Sequence, residues 1–343
     1  MTIFYYLFLV AGAFLAGWVT SFAVRRAALR LGLVQVPNAR SSHSIPTPQG
    51  GGIAIAAVSL AGALIASTTD SGFLAIAALT AVVAAFGLAD DILDLPAPLR
   101  FPVQGLVLWA LLAWVGPLPD ISLPLGLTIG GWGLPVLVWF GALWWLNLFN
   151  FMDGIDGIAA SETVIILLGG LIIAVSVHPP MLATPMALLA LITAAGTAGF
   201  LVMNWAPARI FMGDAGSNTL AVLILAIALN TVQHGLVGYP SWLILMSPFV
   251  ADATVALLRR TARGELPWRA HRRHAYQQLA RQWSHARVTL LYAGFTGLVA
   301  LPMAAVAQYR PMASWWLVGL IYALLVVFMV WAGSGSAAER SRE

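Results

Sequence analysis

Four polar residues recur at every third position in Asn147-Leu148-Phe149-Asn150-Phe151-Met152-Asp153-Gly154-Ile155-Asp156-Gly157, directly after an apolar run rich in Trp and Leu. Side-chain oxygens of Asn and Asp suit a hard divalent cation, and Mg²⁺ takes one or two carboxylates plus substrate phosphates. On an unbroken helix each i+3 step falls about 60° short of a full circle, which would splay Asn147 and Asp156 to opposite sides. Glycines at 154 and 157 point instead to a helix that ends near Asn150. A folded-back loop would then let all four groups converge. The plain alternative is a turn with Asx-type caps.

Three further groupings carry the same kind of chemistry. Asp90-Asp91-Ile92-Leu93-Asp94 ends an apolar segment. Its carboxylates could share a cation or handle a proton, and acids at a helix C-terminus oppose the macrodipole. Phe211-Met212-Gly213-Asp214-Ala215-Gly216-Ser217 opens another apolar segment. There the helix N-terminus offers free N–H groups as a phosphate seat, unless Asp214 merely caps it. His271-Arg272-Arg273-His274 brings imidazole and guanidinium close together. Two histidines make no zinc site, but Arg pairs bidentately with phosphate, and a basic loop also attracts anionic lipid. Arg40-Ser41-Ser42-His43 with Gly50-Gly51-Gly52 is a weaker candidate, and Trp144 and Trp145 are expected in an interfacial aromatic belt.

The elements that must position these residues are membrane helices. The 343 residues are 60% hydrophobic and 9% charged, with a mean hydropathy of +0.89; a soluble domain carries about 25% charged residues. Cysteine is absent, which excludes disulfides and thiolate chemistry. All 17 basic residues are Arg, which excludes a lysine Schiff base and a lysine-bearing P-loop. The fold class is therefore all-α integral membrane protein. Apolar segments suited to crossing a bilayer lie near 4–24, 50–69, 73–89, 102–116, 133–149, 161–177, 183–203, 218–234, 241–258, 288–308 and 314–332, about eleven in all. With that count only Arg310 falls on one side and the other arginines on the opposite side. The positive-inside rule then puts the N-terminus outside and the C-terminus in the cytoplasm. On this topology the acidic loops share the cytoplasmic face. Residues 1–333 form one polytopic domain, and 334–343 are expected to be a disordered cytoplasmic tail. The net charge of +4 does not imply nucleic acid, because the arginines track membrane loops.

Taken together and in order, Asp90-Asp91, Asn150 through Gly157, Phe211 through Ser217 and the His271/His274 pair resemble the polyprenyl-phosphate N-acetylhexosamine-1-phosphate transferase superfamily, glycosyltransferase family 4. The resemblance covers nearly the whole chain. It is nearer to the branch that initiates O-antigen and common-antigen synthesis than to the peptidoglycan translocase. Lysines follow the Asp-Asp pair in the translocase pattern, and a run of adjacent histidines occupies the late loop. Here Asp94 and Arg100 follow the pair, and the loop reads His-Arg-Arg-His.

The resemblance implies transfer of an N-acetylamino-sugar 1-phosphate from a UDP-sugar to undecaprenyl phosphate, with release of UMP, at the cytoplasmic face of a bacterial inner membrane. It implies Mg²⁺, with Mn²⁺ as a substitute, held by Asp214 and Asn150 with Asp153 nearby. Asp90 and Asp91 would position the acceptor phosphate or take its proton, and His271 and His274 with Arg272 would meet the diphosphate. Asp156, Asn204 and Phe211 match positions that hold uridine, Asn147 joins the substrate site, and Arg100 is taken to replace the missing lysine. Membrane lipid is the other partner, with a homodimer as one admissible assembly. A secondary transporter is the rival from another class. Its acids would lie near the midplane between repeats, and no repeat is visible here.

Overall fold

The computed structural model describes residues 3–35, 46–265 and 272–336. Its helices are α1 (Ile3–Ala27), α2 (Gly52–Ser67), α3 (Phe73–Leu93), α4 (Ala97–Val115), α5 (Gly133–Met152), α6 (Ile158–Val177), α7 (Pro185–Asn204), α8 (Asp214–Gln233), α9 (Tyr239–Leu245), α10 (Ser247–Thr261), α11 (Ala275–Gln282), α12 (His285–Phe295), α13 (Leu301–Tyr309) and α14 (Pro311–Trp331). Two short antiparallel ribbons complete it. One is β1 (Val34–Gln35) with β2 (Thr47–Pro48), and the other is β3 (Ile121–Ser122) with β4 (Thr128–Ile129). This is an all-α integral membrane architecture, in which backbone polar groups are satisfied within each span.

Among the described residues nine helical segments are long and apolar enough to cross a bilayer, or ten if α9 and α10 count as one bent span. The eleventh expected segment, 50–69, forms α2, whose 16 residues cover about 24 Å against a hydrocarbon thickness of about 30 Å. The expected straight span 241–258 is instead broken: α9 and α10 meet at 72° around Met246. Pro248, two residues on, has no N–H to donate to Ile244 O, which interrupts the helical hydrogen-bond ladder there. The segment 288–308 runs through α12 and α13 with a π-helical stretch at Thr296–Ala300. Pro302 lacks an N–H donor just beyond it, and widening the turn absorbs that loss.

Helix α8 is the axis of the bundle. Its membrane window is 94% buried, against 22% for α1 and for α14. Helices α2, α3 and α5 pack around it. Lipid is as apolar as Leu, so close backbone packing and not water exclusion must hold these helices together. Small residues supply it. A Cβ at Gly52 would collide with the backbone of Gly216, and one at Gly87 would stand 2.6 Å from Ala215 Cα. The start of α8 is thereby pressed against the first turn of α2 and the last turns of α3.

The tail begins later than expected. Ser334 is buried and its Oγ bonds to Asp252 Oδ1 at 3.0 Å, while Gly335 N donates to Arg273 O at 2.5 Å. Residues 334–336 are thus packed, because buried acceptors on α10 and on the segment before α11 claim them; 337–343 lie outside the described residues.

Close packing at Gly52 gives opposite expectations for two glycines. Gly141 on α5 has open space around its Cβ position. Gly141→Ala should raise stability by about 0.5–1 kcal/mol through helix propensity, whereas Gly52→Ala should lower it by about 1–3 kcal/mol through overpacking. Thermal unfolding of the two variants in detergent checks both signs.

Candidate active site

The end of the bundle where α3, α5 and α7 finish and α4, α6 and α8 begin collects the polar residues. Helix α3 stops at Leu93 with Asp94 in a left-handed conformation, φ 48°, and the chain turns at once into α4. Asp90 serves this turn: its Oδ1 accepts from Leu95 N at 2.8 Å, and its Oδ2 accepts from Arg100 Nη1 at 3.2 Å. Asp94 itself is exposed and closes the helix, so it does not join the other acids.

Asp91 has a different task from the one expected. Its Oδ1 accepts from Asp214 N at 2.8 Å and from Gln49 Nε2 at 2.5 Å, and its Oδ2 accepts from Ala215 N at 3.1 Å. It therefore caps α8 from a neighbouring helix. The first N–H groups of α8, read from sequence as a phosphate seat, are already taken by this carboxylate. Gly213 allows the fit, with φ 74° and Asp91 oxygens 2.7–2.8 Å from where a Cβ would stand. With both oxygens engaged, Asp91 is a structural acid and not a free base.

Asp214 faces the site. Asn150 Nδ2 donates to its Oδ1 at 2.8 Å and to Ser217 Oγ at 3.2 Å. Arg100 Nη1 lies 3.7 Å from Asp214 Oδ2, so one guanidinium touches both Asp90 and Asp214. Arg100 Nε is buried without a hydrogen-bond partner among the described residues. Among those residues no three His, Cys, Asp or Glu side chains form a metal cage. The oxygens of Asp214 and of the Asn150 side chain are the donors here that would hold a divalent cation, with ligand phosphates completing its shell.

The four-residue comb does not converge as expected. Helix α5 continues to Met152, so its two asparagines face α4 and α8. Asn147 Nδ2 donates to Gln104 Oε1 at 3.2 Å and to Leu143 O at 2.8 Å. Asp156 lies beyond the turn: its Oδ2 accepts from Ala208 N at 3.0 Å, and its Oδ1 is 3.2 Å from His285 Nδ1. Asn204 is buried and bridges the same region, accepting from Gly157 N at 3.0 Å and donating to Ile210 O at 2.9 Å. It ties the 154–157 turn to the 205–213 loop and does not line the cavity described below. Phe211 is half-buried, and its backbone pairs with Pro48 and Gly51. Asp153 N donates to Asn150 O at 3.2 Å, and its carboxylate makes no hydrogen bond among the described residues. Burial, with the charges of Asp91 and Asp156 behind it, raises its carboxyl to about 7.

His271 of the late loop lies outside the described residues, as do Arg40 through His43 between α1 and α2. His274 is buried at 3% exposure, and burial first and Arg260 second lower its imidazole to about 3. Its ring stacks on that of Tyr276 with centroids 5.7 Å apart, and it does not line the cavity described below. Arg272 shares this segment, its carbonyl accepting from Gln278 Nε2 at 2.9 Å.

A cavity of about 320 Å³ opens beside Asp90, Arg100, Asn150 and Asp214. Its walls are Phe101, Phe140, Leu143, Trp144, Phe151 and Leu257, and Gln104, Asn147 and Asn218 add polar atoms. Several walls present apolar surface outward, Phe140 at 59% and Phe101 at 47% exposure, while Leu257 is buried behind them. Trp144 thus lines a groove, and Trp145 is core, 3% exposed with its indole N–H on Ala221 O at 3.1 Å; neither serves only the expected belt. Gln104, Asn218 and His285 escaped the sequence reading. A polar residue within an apolar span was the available signal for the first two.

An acidic polar site at one end of a polytopic bundle, with an apolar groove running into it, defines a membrane-embedded enzyme class. The family model of glycosyl transferase family 4 matches residues 73–232. A decaprenyl-phosphate N-acetylglucosaminephosphotransferase from Mycobacterium tuberculosis is 30% identical, covering 86% of this chain and 82% of its own length. A probable undecaprenyl-phosphate N-acetylglucosaminyl 1-phosphate transferase from Bacillus subtilis is 28% identical (89% and 85%). A phospho-N-acetylmuramoyl-pentapeptide-transferase from Synechococcus is 32% identical over 74% of this chain and 77% of its own. The chain belongs to glycosyl transferase family 4.

Two outcomes test this geometry. Asp91→Ala strands two N–H groups of α8 and should cost about 2–3 kcal/mol of stability, measured by thermal unfolding; loss of activity without loss of stability would contradict the capping role. Asp153 holds its proton in the folded protein between its ordinary value near 3.8 and about 7, where the unfolded chain releases it. Stability should therefore fall as pH rises across that window, and Asp153→Asn should flatten the slope between about pH 5 and pH 7.

Proposed function

We propose that the protein transfers an N-acetylamino-sugar 1-phosphate from a UDP-sugar to undecaprenyl phosphate, releasing UMP at the cytoplasmic face of a bacterial inner membrane and initiating an O-antigen or another cell-envelope glycan. The observation that carries this is the outward-facing apolar groove that ends on Arg100, Asp90 and Asp214. A polyprenyl chain suits its walls, and Arg100, with a divalent cation held beside Asp214, would offset the charge of a phosphate monoester at its polar end. The relatives named for polyprenyl-phosphate N-acetylglucosamine transfer favour UDP-N-acetylglucosamine as donor. The absence of lysine after Asp91 speaks against a muramoyl-pentapeptide donor.

The acceptor phosphate would meet Arg100, whose Nε has no hydrogen-bond partner among the described residues. An acceptor oxygen then attacks the β-phosphorus of the donor, the bond to the bridging oxygen breaks, and UMP departs. Asp90 is not required as a base: its oxygens serve Leu95 N and Arg100, and a phosphate monoester with a second pKa of about 6 is already mostly dianionic at neutral pH. Asp214 and Asn150 would hold Mg²⁺. When bound, that ion neutralises pyrophosphate charge and polarises the phosphoryl oxygens. Asp156, the 205–211 loop and Phe211 form the uridine end.

The test uses membranes carrying wild type or Asp214→Ala, supplied with undecaprenyl phosphate, Mg²⁺ and one donor at a time: UDP-N-acetylglucosamine, UDP-6-deoxy-N-acetylamino sugars or UDP-N-acetylmuramoyl-pentapeptide. UMP released only by wild type, and only with lipid and Mg²⁺, is the expected result. No UMP with any donor from folded protein overturns the reaction. UMP release that survives Asp214→Ala removes the metal assignment.

A further inference from the structure

Asp252 on α10 is fully buried, and among the described residues no cation pairs with it. Its two oxygens instead collect four hydrogen bonds from three other segments. Oδ1 accepts from Ala275 N at 2.6 Å and Ser334 Oγ at 3.0 Å. Oδ2 accepts from Tyr276 N at 2.9 Å and the Tyr292 hydroxyl at 2.7 Å. Ala275 and Tyr276 are the first two residues of α11, so Asp252 caps that helix across the fold.

Tyr276 carries the placement onward. Its hydroxyl donates to Phe151 O at 2.9 Å. Phe151 sits in the last turn of α5, between Asn150, which holds Asp214, and Asp153. A Cβ at Gly154 would collide with the same hydroxyl, so the 153–157 turn is shaped to receive it. The Tyr276 ring stacks on His274, whose ring lies 6.3 Å from that of Phe151. One buried carboxylate and one phenol thus join α10, α11, α12 and the packed end of the chain to the turn that follows Asn150.

We propose that Asp252 and Tyr276 are positioning residues for the transfer reaction, and this rests on the transferase reading above. Asp252 sets the first turn of α11. The Tyr276 hydroxyl uses that footing to hold the end of α5, and with it Asn150 and Asp153, in register with Asp214. Neither residue lines the groove, so neither should contribute to binding directly.

Tyr276→Phe tests this with the loss of one oxygen, and Asp252→Asn with one exchanged group. Tyr322→Phe is the control, because that hydroxyl is also largely buried and bonds a carbonyl, Leu243 O at 3.0 Å, away from the site. In the full-length protein, Tyr276→Phe should lower kcat about tenfold while KM for donor and acceptor stays within about twofold. Tryptic cleavage at Arg272, Arg273 and Arg281 should accelerate about tenfold as α11 loosens. Tyr322→Phe should leave both unchanged. An unaltered kcat, a loss confined to KM, or an equal loss in Tyr322→Phe overturns the positioning role. Cleavage that does not accelerate overturns the clamp whether or not UMP is ever released, so failure of the transferase reading and failure of this proposal are told apart. If Asp252→Asn does not fold, Tyr276→Phe decides alone.

Discussion

The structure depends on one constraint: a backbone N–H or a carboxylate withdrawn from water must find a partner inside the protein. Asp91 meets the start of α8, Asp252 the start of α11, and Asn204 joins the 154–157 turn to the loop ahead of α8. Each spans two segments far apart in sequence. These polar groups are spent on architecture. What remains at the cavity is the smaller set of Asp214, Asn150 and Arg100 beside Asp90, with the Asp153 carboxylate to one side.

That division explains what could be read from the chain. Runs of apolar residues mark bilayer-crossing helices without help from tertiary contacts, so the helical segments were legible and the family motifs placed the acids at one end of the bundle. The role of each acid was not. A carboxylate that caps a distant helix and one that faces a ligand have the same local sequence, as Asp90-Asp91 shows: one residue touches Arg100 and the other serves α8. His274 reads in sequence as part of a basic loop beside two arginines, yet it is buried and stacks on Tyr276. The regular spacing from Asn147 to Asp156 suggested convergence. The helix runs on to Met152 and turns the asparagines toward α4 and α8 while Asp156 meets the 208 loop.

The remaining departures come from packing. The break at Met246 needs Pro248 and also the neighbours that accept a 72° bend. The Gly-Ser sequence after Ala332 has the composition of a flexible linker, but Asp252 and Arg273 O offer it buried partners. Composition describes what a free segment would do, and a partner elsewhere in the fold can overrule it.

A lipid acceptor entering between exposed apolar walls would have a consequence for how binding depends on concentration. On the proposed reading, the cavity walled by Phe101, Phe140 and Trp144 would sample molecules dissolved in the bilayer. Occupancy there follows the mole fraction of a lipid among other lipids and not its molarity in the surrounding water. Added detergent or inert phospholipid therefore acts as a diluent, and apparent affinities have meaning only per unit of membrane surface.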